Sequence, residues 1–237
     1  VKELEKLNAL KDDFLSTVSH ELRTPLSNMK MAISMLKNPA TVERQQRYLQ
    51  ILQTECNREI ELINDLLDLQ RLEVTSYSNL QLLEAIDLQE ILPSLIEPFQ
   101  ARARQNEQTL TIDLASDLRL LICDRPSLER ILAELLNNAC KYTQAGGEIK
   151  LSICYKSTEA VTVFTIINST EIPPNFLPRI FDKFYRIPNT DRWKQSGTGL
   201  GLALVQKLVE CLKGTISVES KSGWTTFTIV LPNQPQT

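Results

Sequence analysis

Phe14-Leu15-Ser16-Thr17-Val18-Ser19-His20-Glu21-Leu22-Arg23-Thr24-Pro25-Leu26 holds the only histidine of this 237-residue chain. Wound at about 100° per residue, Leu15, Val18, Leu22, Leu26, Met29, Ile33 and Leu36 fall within roughly 80° of one another. They form a core-facing stripe. On the same wheel His20 lies about 160° from the stripe's centre, with Asp13, Ser16, Thr24 and Ser27 on its side. A lone histidine on a helix is commonly a hydrogen-bonded core residue. The periodicity predicts otherwise here: an imidazole presented to solvent, with a carboxylate as its next residue.

Outward from this stretch, Val1 to Lys37 reads as one helix. Pro25 should bend it by removing an amide donor. Asn38-Pro39-Ala40-Thr41 breaks the pattern, with Thr41 as N-cap of a second helix from Val42 to Glu73. Leu49, Leu52, Ile60, Ile63, Leu67 and their neighbours cover a face too broad for one partner helix. Two such hairpins packed as a four-helix bundle would bury it, which predicts a homodimer. Val74 to Asn79 reads as a linker. Beyond it the pattern changes to alternating strands and helices. Helices are expected at Leu88–Arg104 capped by Asp87, from Asp124-Arg125-Pro126 to Lys141, at Leu177–Phe184 and at Gly199–Leu212. Strands are expected at Thr109–Leu114, Leu120–Cys123, Glu148–Tyr155, Val161–Ile167, Thr215–Ser220 and Thr225–Leu231. The fold class is α+β: residues 1–75 a helical hairpin, residues 76–237 a mixed sheet with helices on one face, an α/β sandwich.

Composition narrows the function classes. A net charge of −3 argues against a nucleic-acid surface. Cys56, Cys123, Cys140, Cys154 and Cys211 make no Cys-x-x-Cys pair, so they read as small buried residues in a reducing compartment. No apolar run approaches the roughly 18 residues that span a bilayer, so no membrane contact is expected of this segment. The first residue already lies inside a helix. The chain is therefore expected to be the cytoplasmic part of a protein that continues N-terminally into a sensory region.

Two further stretches carry chemistry. Gly197-Thr198-Gly199-Leu200-Gly201-Leu202 opens the last helix. Its glycines let backbone amides approach an anion, and a helix N-terminus adds partial positive charge. There is no Gly-x-x-x-x-Gly-Lys-Ser/Thr loop. On the preceding long helix, Glu134, Asn138 and Lys141 share one face. A carboxylate, a carboxamide and an ammonium in a row suit a Mg²⁺–triphosphate, with Glu134 a candidate metal ligand.

From His20 to Leu26 the sequence resembles, at every position, the phospho-acceptor motif of bacterial sensor histidine kinases. The resemblance extends over most of the chain. Glu134 to Thr143 is similar to the asparagine box of that family's Bergerat-type ATP-binding domain, shared with gyrase-like ATPases and Hsp90-type chaperones. Phe181-Asp182-Lys183-Phe184-Tyr185-Arg186 resembles the phenylalanine box, Ile187 to Ser196 the ATP lid, and Gly197 to Leu202 the second glycine-rich box. The resemblance implies ATP and Mg²⁺ as cofactors, with Asn138 on the metal. It places nucleotide contacts at Asn138, Lys141, Tyr142, Asn168, Ile172, Gly197, Thr198, Gly199, Leu200 and Gly201. It implies His20 as phospho-acceptor, Thr24 as a residue that can position water for dephosphorylating the partner, and a response-regulator receiver domain as that partner; an attacking imidazole must lose a proton, and Glu21 beside it is the candidate base.

The chain departs from the family twice. Glu134 stands where asparagine is usual. Asn168-Ser169-Thr170-Glu171-Ile172 stands where Asp-x-Gly-x-Gly-Ile is expected. Two rival readings follow. A non-catalytic scaffold would explain the altered box, yet intact His20, Glu21 and Asn138 oppose it. A gyrase-like hydrolase using Glu134 would leave His20 unexplained.

Overall fold

The computed structural model describes residues 2–37, 41–74, 83–187 and 198–233, with side chains described for these except 2–15, 73 and 74. The chain divides into two compact units. One comprises Val1–Asp68 with Thr190–Leu200, the other Leu69–Asn189 with Gly201–Thr237.

Helix α1 spans Lys2–Leu36 and α2 spans Val42–Val74, of which the residues to Asp68 belong to the first unit. The Thr41 hydroxyl accepts from Arg44 N at 3.3 Å, as expected of its capping role. Helix α1 continues through Pro25. The two helices run antiparallel, since Asn28 meets Glu55 and Glu21 meets Arg58. The side of α1 turned to α2 carries Glu21, Pro25, Asn28 and Ala32. It is rotated to one side of the stripe read from the sequence. Polar inter-helix pairs replace part of the apolar contact. Leu26 and Ile33, assigned to the core-facing stripe, are 54% and 52% exposed in the single chain. Leu49, Ile60, Ile63 and Leu67 of α2 are bare as well. These apolar side chains are left wet in the single chain.

The second unit holds β1 (Leu83–Ile86), α3 (Leu88–Gln105), β2 (Thr109–Leu114), β3 (Leu121–Asp124), α4 (Arg125–Tyr142), β4 (Glu148–Lys156), β5 (Val161–Asn168), α5 (Gly201–Cys211), β6 (Thr215–Lys221) and β7 (Trp224–Pro232). The sheet order is β2-β4-β5-β7-β6, with β2 and β4 parallel and every other pair antiparallel. Strands β1 and β3 form a separate antiparallel pair. Alternation decides the layers. Ile149, Leu151 and Ile153 of β4, Phe164 and Ile166 of β5, and Phe227, Ile229 and Leu231 of β7 are buried, while their neighbours are more exposed. That single buried face meets the apolar sides of α3 (Leu88, Leu92, Ile96), α4 (Leu128, Ile131, Leu132, Leu135, Leu136) and α5 (Leu204, Val205, Val209). Each such side chain stabilises the fold by about 1.5–3 kcal/mol.

The helix starts are local. Asp87 Oδ1 accepts from Gln89 N at 2.9 Å, and Asp124 Oδ2 accepts from Ser127 N at 2.9 Å, with Pro126 in the first turn. Three expectations need correction. Strand β1 was not anticipated, because its Glu84 and Ala85 are weak strand formers and its first three residues are exposed. The helix expected at Leu177–Phe184 is a single 3-10 turn, Leu177–Arg179, after which Phe184 takes a positive φ of 62°. Among the cysteines, Cys56 and Cys154 are exposed rather than buried. Cys123 is buried and its thiol is pushed up to about 12, first by burial and then by the charges of Asp124 and Glu84. It stays protonated and inert.

Candidate functional site

His20 stands on the open side of α1 with 76% of its side chain exposed. The Glu21 carboxylate lies beside it, Oε1 3.9 Å from Nδ1. Its other oxygen, Oε2, takes a charged contact from Arg58 Nη2 of α2 at 3.4 Å. Thr24, one turn on, donates its hydroxyl to the His20 carbonyl at 3.2 Å. This is the habit of threonine inside a helix. His20, Glu21 and Thr24 thus lie together within about one turn of α1. Arg58 was missed: α2 is long and charged, and nothing in its spacing marks which arginine faces α1.

The residues of α4 form the second group. Asn138 and Lys141 are half-buried on one face, and Lys141 Nζ sits 4.8 Å over the Tyr142 ring. The Tyr142 phenol is raised by burial, against the opposing effect of Arg186, and stays protonated. Glu134 is more constrained than its spacing suggests. Its Oε1 pairs with Arg130 at 3.0 Å. A Cβ on Gly201 would lie 2.5 Å from its Oε2. Glycine at 201 therefore admits the carboxylate against the first residue of α5, where negative charge complements the helix N-terminus.

Among the described residues, no three His, Cys, Asp or Glu side chains could hold a metal ion by themselves. A Mg²⁺ ion does not require that, since it keeps waters and phosphate oxygens and takes one or two protein oxygens. The half-buried carboxamide of Asn138 fits this part. Glu134, already paired, fits it less well.

The altered loop after β5 is tied down on every side. Ser169 Oγ accepts from Glu148 N at 2.8 Å, and Thr170 Oγ1 donates to the Tyr142 carbonyl at 2.8 Å. Ile172 N donates to Ser220 Oγ at 2.7 Å, and Thr225 Oγ1 donates to the Thr170 carbonyl at 2.6 Å. Gly223 N donates to Glu171 Oε2 at 2.6 Å. Side-chain hydroxyls do here what a glycine turn would leave to backbone and water. Asn168 ends β5 opposite Ile149 and Thr225 and is only 5% exposed.

Of the second glycine-rich stretch, Gly197 lies outside the described residues, as does the lid expectation over 188–196. Thr198, Gly199 and Leu200 pack within the first unit. The Thr198 hydroxyl donates to Asp65 of α2 at 2.9 Å and accepts from Leu200 N at 3.2 Å. Gly199 uses its freedom at a φ of 73°. Asp65 is buried on the α2 stripe between Leu62 and Leu69. An acid on an apolar stripe was the available sequence signal, and it was not read.

Both groups lie in stretches that match known families. Residues 10–75 match the family described as His Kinase A (phospho-acceptor) domain. Residues 123–235 match the family described as histidine kinase-, DNA gyrase B- and HSP90-like ATPase. The chain is 35% identical over 235 residues to the circadian input-output histidine kinase CikA of Synechococcus elongatus, covering 96% of this chain and 30% of that protein. It spans about a third of the length of such curated relatives. Full-length ShkA in complex with AMPPNP superposes with a TM-score of 0.68 at 27% identity, over 93% of this chain and 45% of that one. Histidine kinase ThkA in complex with the response regulator TrrA has a TM-score of 0.73 at 21% identity, over 98% of this chain and 64% of that one, a likeness of fold.

Proposed function

The chain belongs to the histidine kinases, carrying their phospho-acceptor domain and their ATPase domain, and from that premise we propose that it phosphorylates itself on His20 from ATP and passes the phosphoryl group to an aspartate of a response regulator. The observation that carries the reading is a solvent-facing imidazole with a carboxylate on its Nδ1 side, in a chain whose other unit has the ATPase fold.

The geometry supports a division of the imidazole. Glu21 lies nearest Nδ1, so Nδ1 gives up the proton and Nε2 is the nucleophile. The Nε2 lone pair forms the N–P bond. The bond from the γ-phosphorus to its bridging oxygen breaks, and that electron pair leaves with ADP. The Nδ1 proton goes to Glu21 Oε1, after the 3.9 Å gap closes to hydrogen-bond length. On the ATP side, Asn138 would hold Mg²⁺, with Glu134 a weaker second ligand. The ion would offset charge on the phosphates. By the family resemblance, Lys141 and Tyr142 would contact phosphate and nucleotide, Asn168 and Ile172 the adenine, and Gly197, Thr198, Gly199, Leu200 and Gly201 the phosphates.

Residues 1–75 and 76–237 are the working divisions of this reading, acceptor and kinase. The bare faces of α1 and α2 support a homodimer built as a four-helix bundle. The same exposed His20 face supports docking of the receiver domain. By the family resemblance Thr24 can position water for a phosphatase reaction on that partner, once its bond to the His20 carbonyl is released. Among the described residues no helix is long and apolar enough to cross a membrane. A cytoplasmic setting and an upstream sensory domain complete the proposal.

Glu21→Gln tests the mechanism. Glutamine keeps the size and loses the base. Autophosphorylation should slow by about 10²-fold, the scale of a lost general base, with ATP affinity unchanged by calorimetry. An unaltered rate would mean that water accepts the proton.

Asn168→Asp tests base recognition. A charged acceptor should hold the adenine amino group more strongly than a neutral carbonyl by about 1 kcal/mol, several-fold in affinity. It also removes the amide's donor, which can satisfy guanine. ATP should tighten and GTP weaken in competition binding. Unchanged affinities for both would show that residue 168 does not face the base.

A further inference from the structure

Glu21 has three rotatable side-chain bonds, which by themselves leave the direction of its carboxylate open. Its carboxylate is nonetheless divided. Oε2 is held from α2 by Arg58 at 3.4 Å, while Oε1 is the oxygen nearest His20 Nδ1 at 3.9 Å. Arg58 and Glu21 are 19% and 24% exposed, against 76% for His20. The pair therefore sits at the seam of the hairpin, and the imidazole stands beyond it in water.

We propose that Arg58 is a positioning residue for phosphorylation of His20: it anchors one oxygen of Glu21 from the second helix and so aims the other at Nδ1. Arg58 makes and breaks no bond in the reaction. Its guanidinium is planar and presents its donors in a fixed fork, which suits it to holding one carboxylate oxygen in place. The rival is a plain surface ion pair tying α1 to α2, which contributes little on its own. The inference rests on the reading of Glu21 as base, and the test separates the two.

The test is a double-mutant cycle on the autophosphorylation rate of the full chain, using Arg58→Gln, Arg58→Lys, Glu21→Gln and the double variant Glu21→Gln/Arg58→Gln. Circular dichroism and thermal unfolding of each variant establish that the hairpin is intact. Arg58→Lys, which keeps the charge, serves if the glutamine variant unfolds. The expected result is a fall in kcat of about tenfold or more for Arg58→Gln, the scale of a misplaced reacting group, with KM for ATP unchanged. Arg58→Lys should recover part of the rate. In the Glu21→Gln background, loss of Arg58 should add nothing. A wild-type rate for Arg58→Gln, or the same fold loss with and without Glu21, overturns the inference and leaves Glu21 as base. A wild-type rate for Glu21→Gln overturns both.

Discussion

His20→Ala is expected to leave no acid-labile phosphoryl group on the protein while ATP binding persists. His20 is the only imidazole in the chain, so no other can substitute. Its side chain is mostly solvated, and its removal opens no cavity. Alanine is the residue most favourable to a helix interior, so α1 keeps its stability to within about 0.5 kcal/mol, as for other surface changes. The loss is therefore chemical rather than structural. Calorimetry with ATP should give the unsubstituted affinity, because the groups of α4 are untouched. Acid-labile label on the alanine variant would place the acceptor elsewhere and end the assignment.

The second large effect is expected at Asn138. Asn138→Ala should weaken Mg²⁺-ATP binding by about 10²-fold or more, since even partners one shell beyond a metal ligand cost 10–100-fold when removed. The residue lies half-buried between the buried neighbours Leu135, Leu136, Ala139 and Cys140 of α4. Its amide is not part of the core, and alanine favours the helix, so the domain should stay folded. The difference between binding with Mg²⁺ and with a chelator present should collapse in the variant. Glu134→Gln gives the contrast: its carboxylate is already paired with Arg130 and seated against Gly201. That change should cost domain stability more than metal affinity. Normal Mg²⁺-ATP affinity in a folded Asn138→Ala protein would contradict the metal assignment.

Much of this was legible in the residues. The caps Asp87 and Asp124 marked helix starts with their own side chains, and period-two alternation marked β2, β4, β5 and β7. These signals are local, so the sequence carries them. The same holds for the solvent side of His20, which follows from helical geometry alone. What was not legible is tertiary. The stripe of α1 is rotated because Glu21 and Asn28 pair across to Arg58 and Glu55, and one helix's spacing does not reveal its partner's charges. Strand β1 exists through its pairing with β3, against its own weak propensity. The link from Thr198 to the buried Asp65 joins residues far apart in sequence; the acid on its apolar stripe marks one end, and no local pattern names its partner. The hydroxyl-pinned loop at Ser169 to Ile172 read only as a missing glycine motif, since its order comes from strands β4, β6 and β7 and the end of α4.

The central claim is phosphoryl transfer from ATP to His20, and label chemistry tests it most directly. The unsubstituted chain is incubated with γ-phosphoryl-labelled ATP and Mg²⁺, quenched, and split between acid and base before the protein-bound label is counted and its peptide mapped. A phosphoramidate is lost in acid and survives base, so the account predicts acid-labile, base-stable label on the peptide containing His20. Label that survives acid, or free phosphate with none on the protein, would contradict it.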